Sequence, residues 1–136
     1  MSAALGFGVS GPHGARWYSE RKLQRLIAAA FDGGIRHFDT APFYGEAEAR
    51  LGRALSALGA GAVFISTKTG TRRSGARLTK DFSETGMRAD VEQSRRTLGR
   101  DALQRGGRVR VHDADDLERG LGGLETTEHV GEPLTE

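Results

Sequence analysis

The chain has 136 residues, 37% of them hydrophobic, which is enough for one ordinary domain. It contains no cysteine, and this excludes disulfides and thiolate metal sites and favours a cytoplasmic protein without a metal centre. A formal net charge of +2 is small for a nucleic-acid-binding surface. The longest apolar run, Leu26 to Phe31, is far shorter than the ~20 residues that cross a bilayer, and the first residues do not resemble a secretory signal. We therefore expect neither a nucleic-acid nor a membrane partner.

The first predicted elements are a strand, a helix and a second strand. Leu5–Val9 is compatible with a short strand, and Ser19 stands where the N-cap of a helix is expected. An apolar stripe at helical spacing follows it: Leu23, Leu26, Ile27, Ala30 and Phe31. Gly33-Gly34 ends this helix, and Ile35–Asp39 is short and compatible with a strand.

The same order continues along the chain. A second helix is predicted from about Glu46 to Leu58, and the apolar run Ala62–Thr67 is typical of a parallel strand covered on both faces, with Lys68 at its carboxyl end. A long polar connection, Thr69–Lys80, precedes a third helix over Ser83–Leu98. Repeated strand and helix units predict an α/β fold with a parallel sheet.

The pattern weakens beyond Asp101. A fourth strand within Leu103–His112 contains three arginines and two glycines, so the sequence supports this strand only poorly. Asp115–Leu124 is a candidate fourth helix despite its glycines, and Thr126–Glu136 has the composition of an acidic tail. We expect residues 1–101 to form the patterned part of the fold and residues 102–136 a poorly patterned remainder.

Polar side chains stand at the ends of the predicted strands. The carboxyl ends of parallel barrel strands converge on one rim, so Asp39, Lys68 and His112 are expected to meet there. Tyr44 lies on the loop that follows Asp39, where it would protonate a carbonyl oxygen as hydride reaches the carbon. Lys68 would favour the phenolate form of Tyr44, and Asp39 would pair with Lys68. His112 would hydrogen-bond the carbonyl oxygen and orient the substrate.

These residues give the chain a specific resemblance to a known family. Asp39-Thr40-Ala41-Pro42-Phe43-Tyr44-Gly45, the lysine of Ser66-Thr67-Lys68, and His112 resemble the catalytic motifs of the aldo-keto reductases. The resemblance implies about half of a (β/α)8 barrel, with NADP- or NAD-dependent hydride transfer on a small aldehyde, ketone or sugar alcohol. It also implies that the cofactor contacts belong to the fifth to eighth strands, which we do not expect in this chain.

Other candidate residues have a structural and a functional interpretation. Trp17 and Tyr18 precede the first helix, where they would form a hydrophobic staple or contact substrate. His13 and His37 are expected to be structural. Three arginines of the long connection are expected to be solvated rather than to bind phosphate: Arg72, Arg73 and Arg77.

Three functions remain open from the sequence. The chain is an NAD(P)-linked oxidoreductase, a truncated form without catalysis, or a half barrel that a second copy or a partner chain completes. The last interpretation follows from the strand edges and the sheet face that a half barrel leaves uncovered, which would also favour self-association.

Overall fold

The computed structural model describes residues 5–60, 62–99 and 108–113. Strands and helices alternate along the chain, with a hairpin before the third helix. The elements are β1 (Gly6–Gly8), a 3₁₀ turn (Gly11–Gly14), α1 (Glu20–Asp32), β2 (His37–Asp39), α2 (Ala47–Ala57), β3 (Phe64–Thr69), β4 (Thr71–Ser74), β5 (Arg77–Lys80), α3 (Glu84–Leu98) and β6 (Arg108–Asp113).

The main sheet has four strands in the order β1-β2-β3-β6, and every neighbouring pair is parallel. Gly8 pairs with Asp39, and Asp39 pairs with Ser66, so β1 and β2 end level with each other while β3 continues beyond them to Thr69. A parallel sheet with its strands in chain order is how an α/β barrel begins. The predicted fold class, a partial barrel of parallel β/α units, is confirmed.

The hydrophobic core lies between the sheet and the helices. Phe38 of β2 and Ile65 of β3 are fully buried, and they pack against apolar residues of α1 and α2. The residues on these two helices are Leu23, Ile27, Leu51, Ala54 and Leu55. The Ser19 hydroxyl caps α1 by accepting a hydrogen bond from the Lys22 amide, as its position in the sequence predicts. Gly34, with φ of 92°, follows the end of that helix.

The structure refines one prediction about the later part of the chain and supports another. The polar connection Thr69–Lys80 is not a simple loop, because it contains the antiparallel hairpin of β4 and β5. The poorly supported fourth strand is present as β6, which pairs with β3 over six consecutive positions from Arg108 to Asp113. Backbone pairing along the whole edge of β3 forms this strand although its sequence is rich in arginine.

The predicted helix at Asp115–Leu124, the acidic tail and Leu103–Gly107 lie outside the described residues. The division of the chain at residue 101 stays a prediction. Among the helices of the described ranges, none combines the length and apolar character needed to span a membrane. The same ranges contain no group of three or more His, Asp or Glu side chains placed to hold a metal ion.

Candidate functional site

The side chain of Lys68 is the centre of the candidate site. Lys68 is the second-last residue of β3 and is only 4% exposed. Its Nζ donates to both carboxylate oxygens of Asp39, at 3.1 and 3.3 Å, and to the backbone carbonyl of Thr40 at 2.9 Å. A buried ammonium is costly unless a charge and hydrogen bonds compensate it, and this site supplies both. The Asp39 side chain is 44% exposed, so the pair opens to solvent on one side.

The aromatic ring of Tyr44 lies beside the same ammonium. Lys68 Nζ is 5.2 Å from the ring centroid, within the range of a cation–π contact. The ring is partly buried, packs against the core, and makes an edge-to-face contact with Phe43 at 4.8 Å between centroids. In the fold, Asp39 and Tyr44, which are close in the sequence, are therefore neighbours of Lys68, which belongs to the next strand.

His112 reaches the same rim through the register of β6. It is the direct backbone partner of Lys68 in the parallel pairing of β3 with β6. The sequence predicts a histidine at the end of a fourth strand, and His112 is the second-last residue of β6.

A tight crossing of two loops holds Tyr44 in place. Gly14 follows β1 and Gly45 follows β2, and the Glu46 amide donates to the Gly14 carbonyl oxygen at 2.9 Å. A Cβ atom on Gly14 would overlap the carbonyl of Tyr44, and one on Gly45 would overlap the carbonyl of Gly14. Gly45 also has φ of 63°, which favours glycine. Sequence analysis missed this crossing.

Arg50 of α2 binds the same two loops through hydrogen bonds and an ion pair. Its side chain is 5% exposed and donates to the backbone carbonyls of His13 and Tyr18, at 2.9 Å each. It also forms an ion pair with Glu46 at 2.7 Å. The side chain therefore connects the loop after β1 to the first turn of α2. Its sequence signal was its spacing from Ala47 and Ala54, which lie on the buried face of the helix.

The comparisons with known proteins agree with this geometry. A sequence profile of the aldo/keto reductase family matches residues 4–118. The chain is 33% identical over 143 residues to a D-threo-aldose 1-dehydrogenase from a Pseudomonas species. It is 31% identical to two solved structures of Pseudomonas aeruginosa proteins assigned to the aldo-keto reductases, with TM-scores of 0.63 and 0.62.

The chain belongs to the aldo-keto reductase family. The matches cover 87–89% of the chain but only 43–46% of each relative, so it spans less than half of their length.

Other predicted residues of this aldo-keto reductase are placed as follows. Trp17 is 78% exposed beside the loop crossing, whereas Tyr18 packs against the core in the position of a hydrophobic staple. His13 makes an edge-to-face contact with Tyr18. His37 Nε2 lies 2.8 Å from the hydroxyl of Ser66, which supports a structural role for His37.

The hairpin of β4 and β5 stands next to the site. On one side, Arg72 forms a 2.5 Å ion pair with Asp90 and donates to the Gly86 carbonyl, which attaches the hairpin to α3. On the other side, Arg73 donates to the carbonyl of Phe43 at 3.2 Å. These two arginines bind protein groups rather than water alone, while Arg77 is exposed.

Aldo-keto reductases use a nicotinamide dinucleotide, whose phosphates are commonly bound at a helix N-terminus with free amides. At the start of α1 the Lys22 amide already donates to Ser19, and at the start of α3 the Gly86 amide donates to Ser83. At the start of α2, the Glu46 carboxylate is paired with Arg50. The hydroxyls of Ser19 and Ser83 each occupy one amide at their helix starts, and no described contact assigns the cofactor phosphates to these positions.

Proposed function

We propose that Asp39, Tyr44, Lys68 and His112 form the proton-transfer site of an NAD(P)-linked oxidoreductase. Its substrates would be small aldehydes, ketones or sugar alcohols. The observation that supports this best is the buried Lys68 ammonium, which binds the Asp39 carboxylate while lying beside the ring of Tyr44. A cation–π contact would also stabilise a purely structural lysine, but a tyrosine that exchanges a proton needs a positive charge close to it, and this arrangement supplies one.

In the proposed reaction Tyr44 donates its hydroxyl proton to the carbonyl oxygen of the substrate, and takes a proton back in the reverse direction. Negative charge then develops on the phenol oxygen. The Lys68 ammonium stabilises that charge, and Asp39 holds the ammonium in place. From its register position beside Lys68, His112 is proposed to orient the carbonyl oxygen.

We assign binding of the dinucleotide to none of the described residues. In this proposal NADPH or NADH donates the hydride in carbonyl reduction, and NADP or NAD accepts it in alcohol oxidation, as is usual in the family. The exposed Trp17 on the neighbouring loop is the proposed substrate contact, with Tyr18 supporting it from the core.

Aldose sugars are the first substrates to test, because a relative that shares 33% identity bears the name D-threo-aldose 1-dehydrogenase. The purified chain is mixed with NADPH or NADH and a panel of aldehydes and ketones, or with NADP or NAD and aldoses. Cofactor oxidation or reduction is followed by absorbance.

A Tyr44→Phe variant keeps the ring and removes the proton. We expect it to lower kcat/KM by roughly 10²- to 10⁴-fold, the usual contribution of general acid-base catalysis. Tyr18→Phe is the matched control, since it makes the same change in a tyrosine of the adjacent loop, and it should stay within a few-fold of the original. A Tyr44→Phe variant as active as the original chain would refute the proposal.

A second candidate is a half barrel that a partner chain completes. The observation in its favour is the sheet order, which leaves β1 and β6 as the outer strands of the described sheet. Light scattering on the purified chain tests it. A monodisperse monomer would contradict this candidate, and a chain that neither associates nor turns over any substrate would favour the catalytically inactive alternative.

A further inference from the structure

Tyr44 and Lys68 lie on different β/α units, so their relative position depends on how those units are joined. Tyr44 belongs to the loop that enters α2, while Lys68 is part of β3. Proton transfer is sensitive to small displacements, and a shift of ~1 Å at a reacting group reduces rates by as much as ~100-fold. A direct connection between the start of α2 and the end of β3 would control this distance.

Glu48 makes that connection. It lies in the first turn of α2, four residues after Tyr44, and is only 4% exposed. The hydroxyl of Thr67 donates to Glu48 Oε1 at 2.5 Å. Thr67 is fully buried and directly precedes Lys68 in β3. This hydrogen bond joins the start of α2, next to Tyr44, to the residue before Lys68. It adds to the bonds that Lys68 and Ser66 make with Thr40 at the other end of the loop.

A carboxyl group in this place is costly to the fold. Burial is the main cause that raises the pKa of Glu48, and the nearby Asp90 raises it further. The Thr67 hydroxyl, Ser94 and the Lys68 ammonium act in the opposite direction. Glu48 is three and seven residues before Leu51 and Leu55, on the same buried stripe of α2, where a leucine would fill the space without that cost. The polar group thus points to a requirement other than packing.

We propose that Glu48 is a positioning residue, which fixes Tyr44 relative to Lys68 by holding the Thr67 hydroxyl. This inference rests on the proposed roles of Tyr44 and Lys68 in proton transfer. Glu48 acts from the helix-covered side of the sheet, so it touches neither the substrate nor the reacting atoms.

The test measures the Tyr44–Lys68 geometry directly by NMR. Lys68 Nζ lies 5.2 Å from the ring centroid of Tyr44, so we expect the ring current of Tyr44 to shift the resonances of the Lys68 methylene protons next to Nζ. Thr67→Val and Glu48→Leu remove the hydrogen bond from either end, and in both variants we expect those resonances to move toward the positions of an unstructured lysine. Thr67→Ser and Glu48→Gln keep a donor and an acceptor, so they should retain the original resonances.

Ile27→Val is the matched control for a loss of stability alone. It removes a buried methyl group from α1, far from the hydrogen bond in sequence, and it should leave the Lys68 resonances unchanged. If Glu48→Leu does not fold, Thr67→Val decides. Folded Thr67→Val protein with the original Lys68 resonances overturns the proposal.

An activity measurement adds a second readout. In preparations that turn over substrate, Thr67→Val should lower kcat ~10-fold or more with little change in KM, because substrate contacts are intact. An unchanged kcat would count against positioning. The failure of Tyr44→Phe to reduce turnover would instead refute the proposed function, so the two failures are distinguishable.

Discussion

Two segments leave the carboxyl ends of neighbouring strands, and they are built very differently. The loop after β2, residues 40–46, lies against Gly14 and is anchored through Arg50 and the Glu46 amide. The hairpin after β3 is exposed at every residue from Arg72 to Lys80 and is attached through Arg72 and Arg73. The fold therefore anchors the loop that carries Tyr44, the proposed proton donor, firmly. The exposed hairpin is less constrained, and substitutions there should be tolerated more easily.

The largest expected effect comes from adding a methyl group at the loop crossing. Gly14→Ala would drive a Cβ atom into the backbone of Tyr44, and backbone atoms cannot rotate away. We expect the free energy of unfolding to fall by about 3 kcal/mol, as measured by urea denaturation.

Gly75→Ala in the hairpin is the control for this change. Gly75 has φ of 60° but open space around it, so alanine there should cost only about 1 kcal/mol of backbone strain. Equal losses of unfolding free energy in Gly14→Ala and Gly75→Ala would contradict the conclusion that the loop is more tightly packed than the hairpin.

Arg50 gives the second test of how firmly the loop is anchored. Arg50→Met leaves two backbone carbonyls and the Glu46 carboxylate without their partner, so we expect a loss of about 2–3 kcal/mol in the free energy of unfolding. Arg53→Met, on the same helix, breaks a largely exposed pair with Glu20 and should cost less than ~1 kcal/mol. A loss at Arg50 no larger than the loss at Arg53 would show that the buried arginine does not anchor the loop.

The smallest effect is a pH dependence of stability that arises from Glu48. Its pKa is raised in the folded state, chiefly by burial, so above the ordinary glutamate range the unfolded chain ionises before the folded chain does. The free energy of unfolding therefore falls as the pH rises through this window. Glutamine does not titrate, so in Glu48→Gln the part of the decline in unfolding free energy that Glu48 causes should be absent. Urea denaturation at several pH values across the window measures this difference. Parallel curves for the two proteins would contradict the buried placement of the carboxyl.

Much of the fold follows from local patterns in the sequence. Apolar spacing located α1 and α2, and the strand ends brought Asp39 near Lys68 because parallel strands finish at a common edge. The hairpin could not be predicted, since β4 and β5 expose nearly every side chain and therefore show no alternation between buried and exposed positions.

The arguments against β6 failed for a different reason. They assumed that a central parallel strand is apolar throughout, whereas polar residues of β3 pair with polar positions of β6: Ser66 with Arg110, and Lys68 with His112. Other pairs do not match in polarity, Phe64 with Arg108 and Thr67 with Val111, so backbone pairing along β3 accounts for this strand better than its side-chain pattern does. Glu48 and Arg50 were not predicted, although their spacing from Leu51, Ala47 and Ala54 places them on the buried face of α2.

The contact between Gly14 and Gly45 has a mechanical consequence. The loop that presents Trp17 and the loop that presents Tyr44 touch through backbone atoms, with no side chain between them to absorb a displacement. A displacement of Trp17 is therefore transmitted to Tyr44 through the backbone. Under the proposed function, substrate contact at Trp17 and the position of the proton donor are coupled, and a mutation at one loop is expected to affect the other.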